Sequence, residues 1–515
     1  MKKSNIIVLM VVLIFVWVAA GCGQSDRDIS TRKTLVYGSG DYTSINPALY
    51  EHGEINSLLF LGLTAHDGEN NVTPAAAENW TYDQETFTYT FYLRDGLCFH
   101  DGMPLTSEDV KFTLEAIMDP ANGSEISSDF EGIQSISTIN DKTIQIQLKA
   151  SNVALLGYLA VGILPKHLLQ GEDMMTSSFN TDPVGAGPYK LASWDMGQSI
   201  TLEKFDDFYL GAPKIDRIVF KIVPDSDARM LQLKSGELDL AQITPKAFKE
   251  FEDKQGYRVY RMKTSDYRGI LYNMNSGFFG KHRELPGILS YSVDRQAIVD
   301  SVLLGFGQVA YSPLQAGPYN NPDIEKYEYN PHKAKQLLEE AGWRIGKDGY
   351  YEKDGEELGF VINNGQQDQV RIDMSNICAQ NLRGIGVNAT VKINLKTDWA
   401  KQDSYLIGWG SPFDPDDHTY KVFGTGKGAN YSGYSNALVD EILTAARQME
   451  TFEERLPLYK TFQQELAADP PFTFIAYIDA IYASKAGISG ITENKVLGHH
   501  GVGIFWNIYD WDFEK

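Results

Sequence analysis

Apolar and polar side chains alternate with a period of two over residues 87–93, where Phe87, Tyr89, Phe91 and Leu93 share one face, and again over 144–148, where Ile144, Ile146 and Leu148 do. Such alternation predicts half-buried strands. Between them, Thr106-Ser107-Glu108-Asp109 has capping-box spacing, and Val110, Leu114 and Ile117 fall on one face of the helix it opens. Further strands are predicted over Ser199–Lys204 and 215–223, followed by a helix over 228–234 that ends at Ser235-Gly236. Helical periodicity takes over in the second half. Asn330-Pro331 supplies a cap and a first-turn proline, Ala334, Leu337, Leu338 and Ala341 form an apolar stripe, and Gly342 closes that helix. Similar segments run from Asp294 to Gly305, from about Ala437 to Gln448, and from about Glu453 to Ala468, where Pro470-Pro471 prevents continuation. No internal repeat and no low-complexity linker interrupts this mixed α/β pattern, so any domains have to be joined by strands crossing between them.

One apolar stretch departs from both periods. Residues 6–18 follow the basic start Met1-Lys2-Lys3 and form a run shorter than the ~20 residues that cross a bilayer, which is the pattern of an export signal. The run ends in Ala19-Ala20-Gly21-Cys22, followed by the polar Gly23-Gln24-Ser25-Asp26, and this junction resembles a bacterial lipobox. The resemblance implies a lipoprotein signal peptide over 1–21, a diacylglyceryl thioether on Cys22 and a tether over 22–33. The expected location is extracytoplasmic, in the periplasm or at the cell surface, lipid-anchored to a bacterial membrane.

Composition narrows the function. The 515 residues are enough for roughly two to four domains at ~100–200 residues each. Lys and Arg number 46 against 68 Asp and Glu, a formal net charge of −22, so no nucleic-acid partner is expected, because phosphate recognition needs basic patches. Three cysteines support neither a disulfide scaffold nor a four-thiolate zinc site. The chain has no His-Glu-x-x-His, Gly-x-Ser-x-Gly or Gly-x-x-x-x-Gly-Lys-Ser/Thr motif, and Gly185-Ala186-Gly187 runs into Pro188-Tyr189 and a strand instead of a helix N-terminus. A binder is expected, with an extracytoplasmic hydrolase as the rival class.

The segment from Tyr89-Thr90-Phe91-Tyr92-Leu93-Arg94-Asp95-Gly96 through His100-Asp101-Gly102 to Ser107-Glu108-Asp109-Val110 resembles the signature of the peptide/nickel class of ABC-importer solute-binding proteins. Val184-Gly185-Ala186-Gly187-Pro188-Tyr189, Lys234-Ser235-Gly236-Glu237-Leu238-Asp239, Tyr291-Ser292-Val293-Asp294-Arg295 and Leu337-Leu338-Glu339-Glu340-Ala341-Gly342-Trp343 match that family in the same order. The resemblance implies an α/β, two-lobed periplasmic-binding-protein-like fold with a hinge. Lobe one would comprise 34–265 and 482–515, with an extra subdomain inserted at about 76–186, and lobe two would comprise 266–481. It also implies a short peptide or a peptide-like or metal-chelate solute held between the lobes, and an ABC permease and ATPase complex as partner. No cofactor is required, and nickel enters only as part of the ligand. A nickel-specific receptor that binds a nickel–amino-acid chelate through a cleft histidine is the alternative.

Site residues follow from the same resemblance. Asn46-Pro47-Ala48-Leu49-Tyr50 matches a stretch whose Tyr50 would face the ligand, and Trp409-Gly410-Ser411-Pro412-Phe413-Asp414-Pro415 resembles a cleft loop whose Trp409 and Phe413 would stack on it. Asp414 either pairs with a peptide ammonium or belongs to an Asp-Pro turn. The nearest counterparts of the arginines that grip ligand carboxylates in nickel-type members are Glu115 and Val161. His499 and His500 fall where relatives bring a C-terminal loop to the cleft. One of the two is the expected ligand-binding and metal-binding imidazole, since neighbours in an extended segment point to opposite faces. Asp414-Pro415-Asp416-Asp417-His418 lacks the spacing and glycine of a calcium loop and is expected to be a solvated acidic turn or a helix cap.

Overall fold

In a computed structural model of the chain, which describes residues 32–50, 53–365, 368–394, 398, 401–498 and 503–514, most strands collect in two large sheets. The first sheet has the spatial order Tyr257–Met262, Ala480–Lys485, Leu240–Gln242, Thr34–Ser39, Arg217–Ile222, Ser199–Lys204, Tyr189–Asp195. Thr34–Ser39 runs parallel to both of its neighbours, whereas Ala480–Lys485 inserts antiparallel between Leu240–Gln242 and Tyr257–Met262. A late strand therefore completes the sheet that the first strand begins. The second sheet has the order Gly307–Val309, Phe472–Ile478, Tyr267–Tyr272, Ser404–Trp409, Gly359–Gly365, Asn388–Asn394. Its central strands Tyr267–Tyr272 and Ser404–Trp409 are buried at every position, as strands covered on both faces are.

The backbone passes between the sheets at two neighbouring places. Tyr257–Met262 leads through residues 263–266 into Tyr267–Tyr272, and Phe472–Ile478 leads through Asp479 alone into Ala480–Lys485. Asp479 binds both crossings together, accepting from Arg261 Nε at 2.6 Å and from Lys263 Nζ at 3.1 Å. Thr264 Oγ1 adds a bond to the Ile478 carbonyl at 2.6 Å.

A four-stranded antiparallel sheet, Ala77–Asp83, Thr88–Leu93, Thr143–Leu148 and Ile133–Asn140 in spatial order, lies beside the first large sheet and carries the helix Ser107–Met118. Tyr89, Phe91, Ile144 and Ile146 point into one core shared with the seven-stranded sheet, which accounts for the alternation in the sequence. Phe87 is a correction to that pattern. It has a left-handed backbone (φ 53°) in the turn between two strands, so the strand starts at Thr88. The helices follow their punctuation: Asn330 caps Pro331–Glu340, Asn436 caps Ala437–Gln448, and Phe452–Ala468 ends just before Pro470. The helix expected over 294–305 is shorter, Arg295–Ser301, because Leu304 and Gly305 take positive φ.

Candidate functional site

A cavity of about 500 Å³ lies where the two large bodies face each other. Two close backbone approaches shape it. A Cβ on Gly185 or Gly187 would stand 1.9 or 2.4 Å from the carbonyl oxygens of Leu59 and Leu58, so only glycine lets this segment lie against residues 58–60. His100 locks the pair: its Nδ1 accepts the Gly185 N–H at 3.2 Å and its Nε2 donates to the Gly187 carbonyl at 3.1 Å. Two segments of the family signature thus meet in space, and they present Phe60 and Pro188 to the cavity. On the opposite side, a Cβ on Gly410 would lie 1.9 Å from the Ser265 carbonyl, so this glycine seats the loop 411–413 directly against the first crossing.

Tyr50 and Phe413 both line the cavity. Phe413 does not present a bare face, since it stacks on His66 with ring centroids 3.6 Å apart and planes 15° from parallel. His66 also lines the cavity and comes from the short strand Thr64–His66 of the first body, so the stack bridges the two bodies. Burial, with help from the Lys495 ammonium, lowers its imidazole to about 4. Val161 lines the cavity too, whereas Glu115 sits on the outer part of its helix, 56% exposed, beside Lys111. His499, His500 and Cys22 lie outside the described residues, although Trp506, Ile508 and Tyr509, shortly after the two histidines, form part of the wall.

Trp409 is placed differently from Tyr50 and Phe413. It is 7% exposed and belongs to the core of the second body with Tyr267, Phe474 and Tyr477, away from the cavity lining. The cause is its position at the end of a central strand, opposite Tyr267, where both faces are covered.

The acidic stretch after Phe413 takes the helix-start form of the expectation and is less solvated than a surface turn, with Asp416 buried and Asp414 and Asp417 half-buried. Asp416 and Asp417 form the first turn of the helix Asp416–Phe423, which packs against the small sheet's helical side, and each carboxylate has a partner there. Arg455 grips Asp414 through two nitrogens at 2.6 Å. Asp416 accepts from Tyr158 Oη at 2.6 Å and Arg447 Nε at 3.0 Å. Burial pushes its carboxyl up to about 6 although Arg447 pulls the other way. Asp417 would be raised by burial, but Lys421 at 3.1 Å and the Ser411 side chain hold it below the usual carboxylate range. Lys495 donates to the Asp67 carbonyl and stands 4.7 Å above the Trp506 ring, with burial lowering its ammonium to about 8.

The cavity therefore offers aromatic surface, while Asp414 and Asp417, which reach its wall, are each held by a cation of the protein. Among the described residues no group of three or more His, Cys, Asp and Glu is placed to hold a metal ion. Sequence reasoning missed His66, Tyr158 and Trp506. Each is an aromatic in an ordinary strand, turn or tail, and only the approach of distant segments marks it.

Two lobes joined by paired backbone crossings around a cavity with aromatic side chains in its wall define a solute-binding protein of the periplasmic-binding-protein type. The family model "Bacterial extracellular solute-binding proteins, family 5 Middle" matches residues 71–431, and the chain belongs to that family, the peptide/nickel class of ABC-importer receptors. The oligopeptide-binding protein AppA of Bacillus subtilis is 29% identical, with 98% of this chain and 99% of AppA covered. Its structure with a nonapeptide matches at a TM-score of 0.86 over 94% of this chain and 99% of that one. NikZ from Campylobacter jejuni, solved in complex with Ni(L-His), is 36% identical and matches at a TM-score of 0.89 over 93% of this chain and 99% of NikZ. Protein XP55 of Streptomyces lividans is 31% identical, with 91% and 88% covered. Members of this family are extracytoplasmic substrate-binding proteins and not enzymes, and the nonapeptide of AppA and the Ni(L-His) of NikZ are ligands, not cofactors. Among the described residues no helix is long and apolar enough to cross a membrane.

Proposed function

We propose that this chain is a lipid-anchored receptor that captures a nickel–amino-acid chelate between its lobes and delivers it to an ABC permease and ATPase complex. Cys22 carries the anchor, lobe one spans 34–265 and 482–515 with its insertion at about 76–186, and lobe two spans 266–481. The size of the cavity carries the reading of the solute. About 500 Å³ is a space roughly 8 Å on a side, within the ~300–1,000 Å³ typical of small-molecule sites. An extended nonapeptide would span about 30 Å. The carboxylate best placed by sequence to receive a peptide ammonium, Asp414, is already taken by Arg455. The Ni(L-His) complex of the C. jejuni relative adds support. His499 or His500 supplies the one protein nitrogen to the metal, L-histidine or a similar chelator supplies the rest, and Tyr50 and the Phe413–His66 stack pack against the organic part. A di- or tripeptide is the second reading, favoured by the Asp67 carboxylate in the wall.

Calorimetric titration of metal-free protein tests this. Ni²⁺ with L-histidine is expected to bind at micromolar Kd or tighter, about −8 kcal/mol, with little heat from a nonapeptide. His499→Ala or His500→Ala is expected to weaken nickel–histidine binding at least tenfold. If neither changes it, the metal reading fails, and if tripeptides alone bind, the second reading replaces it.

A further inference from the structure

The lobes also meet through direct protein contacts beside the cavity, whose wall shares Asp129 and Tyr158 with them. Glu131, on the inserted subdomain, accepts from Tyr420 Oη and from Lys427 Nζ, both at 2.6 Å, and Arg447 Nη1 stands 3.7 Å away. All three donors belong to the second body. Arg447 stacks its guanidinium 3.7 Å over the Tyr420 ring and passes its Nε to Asp416, which in turn accepts from Tyr158 of the inserted subdomain. The Val153 N–H reaches the Arg447 carbonyl at 3.1 Å, and Lys421 lies 3.6 Å from Asp129. Apart from the Arg447–Tyr420 and Arg447–Asp416 contacts, which brace the second body's side, these contacts join the inserted subdomain to the second body. Glu131, Tyr420, Lys427 and Arg447 are absent from the cavity lining.

We infer that the inserted subdomain is one jaw of a polar clasp, centred on Glu131 and Arg447, that stabilises the closed arrangement of the lobes and so tunes solute affinity although neither residue lines the cavity. A receptor whose binding-competent state is already favoured loses less affinity to the closing equilibrium. Weakening the clasp raises the rate of opening and hence of solute escape, and leaves the approach of solute to the open form unchanged. Glu131 suits this role. It is partly exposed and can leave its partners for water when the jaws part, yet it collects three donors at once when they close. Arg447 is its buried counterpart, committed at the same time to Asp416, to Tyr420 and, through its carbonyl, to Val153.

The test is a distance measurement by dipolar electron-spin resonance on solute-free lipoprotein, with labels at Ile139→Cys on the inserted subdomain and Leu438→Cys on the second body in a Cys98→Ser background. Both label sites are exposed. The wild-type sequence is expected to give mainly one short distance, Glu131→Lys to move population to longer distances, and Glu131→Lys with Lys427→Glu to bring it back. An open majority in the wild type, or no change in Glu131→Lys while the melting temperature shows a folded protein, overturns the clasp. With Ni²⁺ and L-histidine as probe, Glu131→Gln is expected to dissociate about fivefold faster at an unchanged association rate. Failure of that probe to bind wild-type protein counts against the nickel reading alone, because the distance measurement contains no solute.

Discussion

His100 has both ring nitrogens occupied by one backbone segment, with Nδ1 accepting from Gly185 and Nε2 donating to Gly187. A second proton would have to enter at Nδ1, where an N–H already points. Burial, helped by the Lys190 ammonium and against the pull of the Gly187 carbonyl, lowers the imidazole to about 4. His66 is lowered to the same value. A base whose folded pKa lies below its unfolded pKa of ~6.5 leaves the unfolded chain binding more protons between those values, so stability is full above about pH 6.5 and falls as pH drops towards 4. The expected loss is on the order of 1–3 kcal/mol per histidine. In a melting-temperature series from pH 7 to 4.5, His100→Gln is expected to start lower and to lose distinctly less than wild type. Parallel curves would mean that His100 does not titrate this way. Residue identity alone marked neither histidine, whereas Tyr50 and Phe413 could be named from motif position, and Trp409 from the same motif went to the core.

Helix starts were readable because their signals lie within a few residues of each other. Thr451 and Glu454 form a reciprocal box, in which Thr451 Oγ1 accepts the Glu454 N–H at 3.3 Å and a Glu454 carboxylate oxygen accepts the Thr451 N–H at 3.2 Å. The next residue of that first turn, Arg455, is the one that clamps Asp414 beside the cavity. Cap and site are therefore mechanically linked. Thr451→Ala is expected to cost about 1 kcal/mol in denaturant unfolding. The same box geometry was legible at Thr106-Ser107-Glu108-Asp109, where one Asp109 oxygen receives the Thr106 N–H at 2.8 Å. The first turn of Asp416–Phe423 was legible as an acidic turn or helix cap, but not as a half-buried ion-pair site. Its burial depends on Arg447, Arg455, Lys421 and Tyr158, none of which the local pattern connects to it.

At the scale of the whole molecule, the lobes are joined at the two crossings and again at the clasp. Asp479 is 5% exposed and serves Arg261 and Lys263 together, which keeps the two crossing segments moving as one. Removing its charge leaves two cations without their shared acceptor. Asp479→Asn is expected to speed amide exchange at residues 264–266 roughly tenfold while the interior strands of both sheets keep their protection. Equal acceleration throughout would show that the aspartate serves global stability and not the hinge. The sequence by itself determined the alternation of strands, the ends of most helices, the family and the two-lobed α/β plan, because periodicity, caps and signature segments are properties of neighbouring residues. The tertiary structure alone decided which aromatics face the cavity, that Phe413 spends a face on His66, and that the acidic turn is a half-buried ion-pair network. The reason is distance along the chain. Tyr158 and Asp416, for example, are 258 residues apart, and nothing in either local sequence encodes the partner until two sheets, built separately, are brought face to face.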